Sequence, residues 1–407
     1  MKKYFIFAAT ALVALTACSK IEVADTPETA KKISFEVANY VAQTKAETSL
    51  VTEGYTSFNT NAWYHSPTDG VQYFMQNVAI LWNTAPNTNQ WAPAVDYYWP
   101  KTGYVNFYSY VGSPAPTAYG TEGALTYTDA VIDYDDNVLV ADAAYGYTAN
   151  ASTYHLDHPS VTGVPTLFRH YLSKLAFNVK LATTDAKKSA NNRFKVEILD
   201  AYVKVANKGT LTLTNADPID SRDVQKATPD VPGTLVWTNA NATYPNVAWV
   251  PATWSETEGS ETFEKIKVVT DSPVAGRDMV QRTLNLGLNK TAQTESGDAL
   301  VLLAERTVMP QHLVDNQQVF YIKYKVYAYH DTNDTDDGET AYSTETLEFT
   351  GNLSSFIAAA SRITEWNKNT KYTYNVIIDP IASKITFDPA VEEWAPEVTQ
   401  DFDPWLN

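Results

Sequence analysis

Short stretches of this chain alternate apolar and polar residues with a period of two. Ile33-Ser34-Phe35-Glu36-Val37 is the first, and that period marks a strand with one face buried. Further strand-like runs are Tyr55 to Tyr64, Val78 to Trp82 and Tyr104 to Val111, separated by turns rich in Pro, Gly and Asn. Beyond residue 165 come Leu172 to Leu181, Phe194 to Val205, Thr210 to Thr214, Glu264 to Thr270, Val319 to Tyr329, Glu345 to Thr350, Tyr372 to Ile378 and Ile385 to Phe387. This is the punctuation of β-sandwiches and not of βαβ units. A single helix is expected, where Leu353, Phe356, Ile357 and Ala360 recur at i, i+3, i+4 and i+7 behind Asn352 as N-cap. Tyr145 to Pro165 has little periodicity and many turn-forming residues, so a domain boundary is expected near residue 160.

Composition sharpens the class. Aromatics are 13% of 407 residues, with 26 Tyr and 10 Trp, and together with many β-branched residues they favour pleated, half-buried surfaces. The expected fold is all-β, and a length prior of roughly 150 residues per domain gives two domains. No period of 20–50 residues points to a solenoid or propeller.

The N-terminus directs export. Lys2 and Lys3 precede an uncharged run from Tyr4 to Ala17, too short to span a bilayer but suited to a signal peptide. It ends in Leu15-Thr16-Ala17-Cys18, which resembles a lipobox, and Cys18 is the single cysteine of the chain. A buried free thiol is the alternative, but the offset from the apolar run favours diacylation of the Cys18 sulfur, which gives the two-chain anchor that one acyl chain does not. No cysteine then remains for a disulfide, a thiolate metal site or a nucleophile. Removing residues 1–17 leaves 390 residues, and losing Lys2 and Lys3 moves the formal charge from −17 to about −19. Such a chain repels nucleic acid. Residues 19–31 are polar and contain Pro27, as a tether between lipid and fold would.

The search for chemistry returns little. His155 and His158 are the only close histidine pair, and Pro159, Gly163 and Pro165 place them in a loop. No Gly-x-Ser-x-Gly, HExxH, P-loop or GxGxxG sequence occurs. The acidic stretch Asp331 to Gly338 has the wrong register for an EF-hand, since Asp336 stands where Gly belongs and Tyr342 where Glu belongs. Glu392 and Glu393 beside Trp394 invite a glycosidase reading, but neighbours on a strand face opposite ways. Neither an enzyme, a cofactor nor a metal site is expected. Exposed aromatics that bind glycans on a surface lipoprotein are the alternative function. Most of Trp82, Trp91, Trp99, Trp237 and Trp254 are expected instead in or beside the cores.

Several segments in order resemble the Bacteroidales fimbrillin family of type V pili. They are the lipobox at Cys18; Ile33 to Val37 followed by Thr44-Lys45-Ala46; Trp91-Ala92-Pro93; Tyr97-Tyr98-Trp99-Pro100 running into Val105 to Tyr110; Phe168 to Leu175; and Trp366 leading into Lys371 to Ile378, Ile385-Thr386-Phe387 and Trp394. The resemblance implies two transthyretin-like β-sandwich domains in tandem, over 33–160 and 161–407. It also implies export to the outer membrane as a lipoprotein and a role in adhesion as a fimbrial subunit among other pilin subunits. A trypsin-like protease then cuts after a basic residue beyond the first strand, a position that Lys45 matches, releasing the strand within 33–41 together with its lipid. The vacated groove accepts a C-terminal segment of the next subunit by β-strand addition. Residues 385–407 carry the donor candidates Val391, Trp394, Val398, Phe402 and Trp405, although Ile385 to Phe387 read better as a strand of the chain's own sheet.

Cys18→Ala is expected to yield an unacylated, soluble precursor. Palmitate labelling with detergent partitioning checks this, and label retained by the variant would remove the lipobox.

Overall fold

The structure, a computed structural model, describes residues 31–38, 54–82, 90–120, 124–141, 144–147, 163–182, 193–213, 249–286, 299–329, 341, 343–355, 362–380 and 384–393. Among these residues every regular element is a strand. The first nine are β1 (Phe35–Ala38), β2 (Ser57–Ser66), β3 (Gly70–Trp82), β4 (Trp91–Pro93), β5 (Tyr104–Ser113), β6 (Ala118–Tyr119), β7 (Leu125–Val131), β8 (Asn137–Ala141) and β9 (Ala144–Tyr147). Next come β10 (Val164–His170), β11 (Ser173–Leu181), β12 (Arg193–Ala206), β13 (Lys208–Leu213), β14 (Trp249–Pro251), β15 (Phe263–Lys267) and β16 (Thr283–Leu286). The last are β17 (Leu300–Val308), β18 (Gln311–His312), β19 (Val319–Tyr329), β20 (Ser343–Asn352), β21 (Glu365–Trp366), β22 (Thr370–Asp379) and β23 (Lys384–Glu393).

The largest sheet has the order β2-β3-β4-β1-β10-β8-β5-β9, and β2 also pairs with β5. It therefore closes on itself around one core, in which Phe58, Ala62, Trp91, Val105, Phe107, Leu139 and Phe168 are buried. Closure needs β5 to lie tightly against β8. Gly112 (φ 110°) allows it, since a Cβ there would stand 1.6 Å from the Asn137 carbonyl oxygen.

Downstream, the sheets β17-β11-β22-β23 and β15-β12-β19-β20 face each other across a second core. Strand β19 shows why: Phe320, Ile322, Tyr324, Val326 and Ala328 are buried and the residues between them are not. Phe177 stacks on both Phe320 and Tyr374, with ring centroids 5.0 and 5.1 Å apart, and so ties the two sheets together.

A third core draws on strands from both halves of the chain. The sheet β14-β13-β7-β6 pairs β7 with β13, and Tyr127, Leu172, Leu211, Trp249 and Met309 are buried in it. Trp249 Nε1 donates to the Tyr171 carbonyl at 2.7 Å. Around it, Thr307 N donates to the Tyr134 carbonyl at 3.2 Å, and the Arg277 and Arg306 guanidinium groups lie 5.6 and 5.9 Å from the Tyr134 ring centre.

Of the expected helix, Leu353 to Ser355 form a turn, and residues 356–361, with Phe356, Ile357 and Ala360, lie outside the described residues. The Asn352 Oδ1 accepts from Asn316 N at 2.9 Å. Leu353 N is also taken, donating to the Gln318 carbonyl at 2.9 Å.

Leu211→Ala, in the middle of the shared layer, is expected to cost about 2–5 kcal/mol. Urea unfolding checks this, and a loss below about 1 kcal/mol would show that the layer carries little packing.

Candidate functional site: the first strand and its groove

The alternation of residues 33–37 becomes burial. Ile33, Phe35 and Val37 are 2%, 3% and 6% exposed. Phe35 meets Phe58 and Phe107 edge to face at 5.6 and 5.5 Å, with Trp91 and Phe168 each 5.2 Å from Phe58 behind them. Edge-to-face rings gain over their area alone, so Phe35 is the keystone of that aromatic set.

The backbone of this segment is held on both sides. Along β10 it runs parallel, pairing Phe35 with Val164, Glu36 with Pro165, Val37 with Thr166 and Ala38 with Leu167, and Val164 N donates to the Ser34 carbonyl at 2.7 Å. On the other side Phe35 pairs with Trp91 of β4. Ile33 N donates to the Tyr97 carbonyl at 2.8 Å, and Trp99 N donates to the Lys31 carbonyl at 3.1 Å. A surface ion pair flanks the entry: Lys32 Nζ stands 2.7 Å from Asp96 Oδ2, both about half exposed. Its hydrogen bond to Asp96 raises the Lys32 pKa.

Strand β1 is thus the only link between β4 and β10 among the described residues. Taking it away would leave two free strand edges and an apolar trench floored by Phe58, Phe107 and Val164. Among the described residues it is the first strand in chain order, and the next, β2, starts at Ser57. A cut between them would detach no other described strand. Lys45 falls in that interval but lies outside the described residues, as does Cys18.

The expected donor residues divide. Trp394, Val398, Phe402 and Trp405 lie outside the described residues. Val391 is on β23, opposite Tyr372 of β22, with 54% of its surface exposed. Ile385 pairs with Ile378 on the same strand, half-buried against the second core. Among the described residues β23 is an edge strand, paired on one side only.

The groove walls were not singled out from sequence. Trp91, Tyr97 and Trp99 stood in the aromatic segments, but nothing in a periodicity says which strands will flank which. Among the described residues no three His, Cys, Asp or Glu side chains are grouped to hold a metal. His155, His158 and the acidic stretch 331–338 lie outside the described residues, and the side chains of Glu392 and Glu393 are not described. Trp91, Trp99, Trp249 and Trp366 are buried, and Trp82 packs against the first core. Outward rings in the second half are capped by lysines: Lys265 lies 3.7 Å over Tyr202, Lys204 lies 5.1 Å over Phe263, and Lys195 and Lys325 lie 4.6 and 4.8 Å over Tyr327. These caps occupy ring faces on which a sugar would stack.

No family model matches the chain, and no curated protein matches it. Its structural neighbours are fimbrial and candidate cell adhesion proteins of Bacteroidales. A fimbrial protein from Bacteroides vulgatus aligns with 89% of this chain and 99% of its own, at 15% identity and a TM-score of 0.47. A candidate cell adhesion protein from Bacteroides uniformis aligns over 91% and 100%, at 12% identity and 0.42. A fimbrilin from Porphyromonas gingivalis aligns over 89% and 97%, at 9% identity and 0.35.

Phe35→Ala is expected to destabilise the uncut protein by about 3–5 kcal/mol, and to change nothing once β1 has been cut away. Urea unfolding of both forms checks this, and equal losses in both would place Phe35 outside the removable piece.

Proposed function

We propose that the chain is a structural subunit of a cell-surface fimbrium, built from two β-sandwich units and assembled by strand addition. In this reading the precursor reaches the outer membrane as a lipoprotein held through Cys18. A trypsin-like protease cuts after Lys45, β1 leaves with its lipid, and a C-terminal strand from a neighbouring subunit takes its place.

One observation carries the reading. A strand of four residues, the first of the described strands, is wedged between two others, supplies the keystone ring of a core, and closes a sheet that stays open without it. A strand kept only for stability has no need of a lysine, Lys45, between it and the next described strand. A strand meant to be exchanged needs such a site, because one cut there separates it from the later strands. The apolar trench left behind is unstable in water and favours any extended segment with matching alternation. The order of the aromatic segments along the sequence supports the same reading independently of the likenesses to solved structures.

Limited trypsin treatment of the purified precursor is expected to give a protein that begins at Ala46 and then forms a ladder of polymers on a native gel. Lys45→Gln is expected to resist the cut with unfolding stability changed by less than about 0.5 kcal/mol. Normal polymers from Lys45→Gln would move the cut elsewhere, and a cut subunit that stays monomeric would remove strand addition.

A further inference from the structure

The chain carries the pattern of its first strand a second time, in its last described one. Lys32-Ile33-Ser34-Phe35-Glu36-Val37-Ala38 stands against Lys384-Ile385-Thr386-Phe387-Asp388-Pro389-Ala390. Lys, Ile, Phe and Ala are identical, Ser is replaced by Thr and Glu by Asp, and only Val37 against Pro389 differs in kind. The two strands sit very differently. β1 is flanked on both sides with Ile33 and Phe35 buried, whereas β23 is paired, among the described residues, with β22 alone, and Ile385 is half-buried.

Building on the strand-addition reading above, we propose that the donor is residues 384–390 of a second copy of this chain. They enter the groove in the direction of β1, with Lys384 in the place of Lys32 and Phe387 in the place of Phe35. The groove then receives Ile and Phe at the spacing it already fits, and the Lys384 ammonium comes to Asp96, where Lys32 makes its ion pair. An edge strand moves more cheaply than a central one, since only one ladder breaks, while the groove offers ladders on both sides.

The proline fits this register. Val164 N donates to the Ser34 carbonyl, so the even-numbered residues of β1 bond to β10, and the Val37 N–H points the other way. On that side β4 begins at Trp91, opposite Phe35. Pro389 in the place of Val37 therefore costs no bond to β10. By contrast, residues 394–407 offer no Ile-x-Phe: their best match is Val398-x-Gln400-x-Phe402, with a polar residue at the keystone.

Subunit cut after Lys45 and freed of its first strand is offered synthetic peptides. A peptide of residues 383–391 is expected to bind, its Phe387→Ser form at least tenfold more weakly, and a peptide of residues 396–406 not at all. In full-length protein, Cys18 leaves with the cut segment, so engineered cysteines are the only thiols left. Because Lys32 is bridged to Tyr98, Tyr98→Cys with Lys384→Cys is expected to give a reducible ladder of covalently joined subunits, and Tyr98→Cys with Val398→Cys none. Polymers that cross-link only through Val398, or a 396–406 peptide that outcompetes the 383–391 peptide, would overturn this donor and leave strand addition standing. A cut subunit that neither polymerises nor binds any peptide would overturn strand addition itself.

Discussion

The placement of one phenylalanine organises the first half of this protein. Phe35 can lie edge-on to Phe58 and Phe107 only if its strand is threaded between β4 and β10, and that threading closes the sheet. The closure of that sheet therefore rests on the contacts of β1. The apolar burial of Ile33, Phe35 and Val37 holds the strand in place. The pair of Lys32 with Asp96 at the surface adds little energy.

The other two cores are built on contacts of their own. The second core, with Phe177 stacked across to Phe320 and along to Tyr374, shares no residue with the first. Between them the layer of β7 and β13 buries Tyr127, Leu211 and Trp249, so segments far apart in sequence are joined by backbone ladder as well as by packing. Burial pushes the hydroxyl pKa of Tyr127 and Tyr374 far above the ordinary tyrosine range, and both stay neutral at any physiological pH. Arg306, 1% exposed, pairs with Glu264 and donates to the Arg277 carbonyl at 2.6 Å. The shared layer and the second core hold no residue of β1.

What the sequence by itself determined is local. Alternation with period two is a property of single strands, so Val319 to Tyr329 and the strands around Tyr104, Phe194 and Tyr372 were legible with nearly their observed limits. The aromatic richness that marked an all-β chain is accounted for by rings buried in the cores. At Asn352 and Leu353 the backbone and side-chain bonds to Asn316 and Gln318 come from the preceding segment, which periodicity does not foretell. Partnership is not local. That β1 runs parallel to β10, about 130 residues away in the chain, that β7 pairs with β13 across residue 160, and that β23 is an edge while β1 is a centre were decided by which apolar faces could be buried together. The kinship of residues 32–38 with 384–390 was present in the letters throughout. Only the structure put one copy inside a sheet and the other, among the described residues, at a sheet edge, because burial depends on which strands lie alongside, and a sequence states only what the residues are.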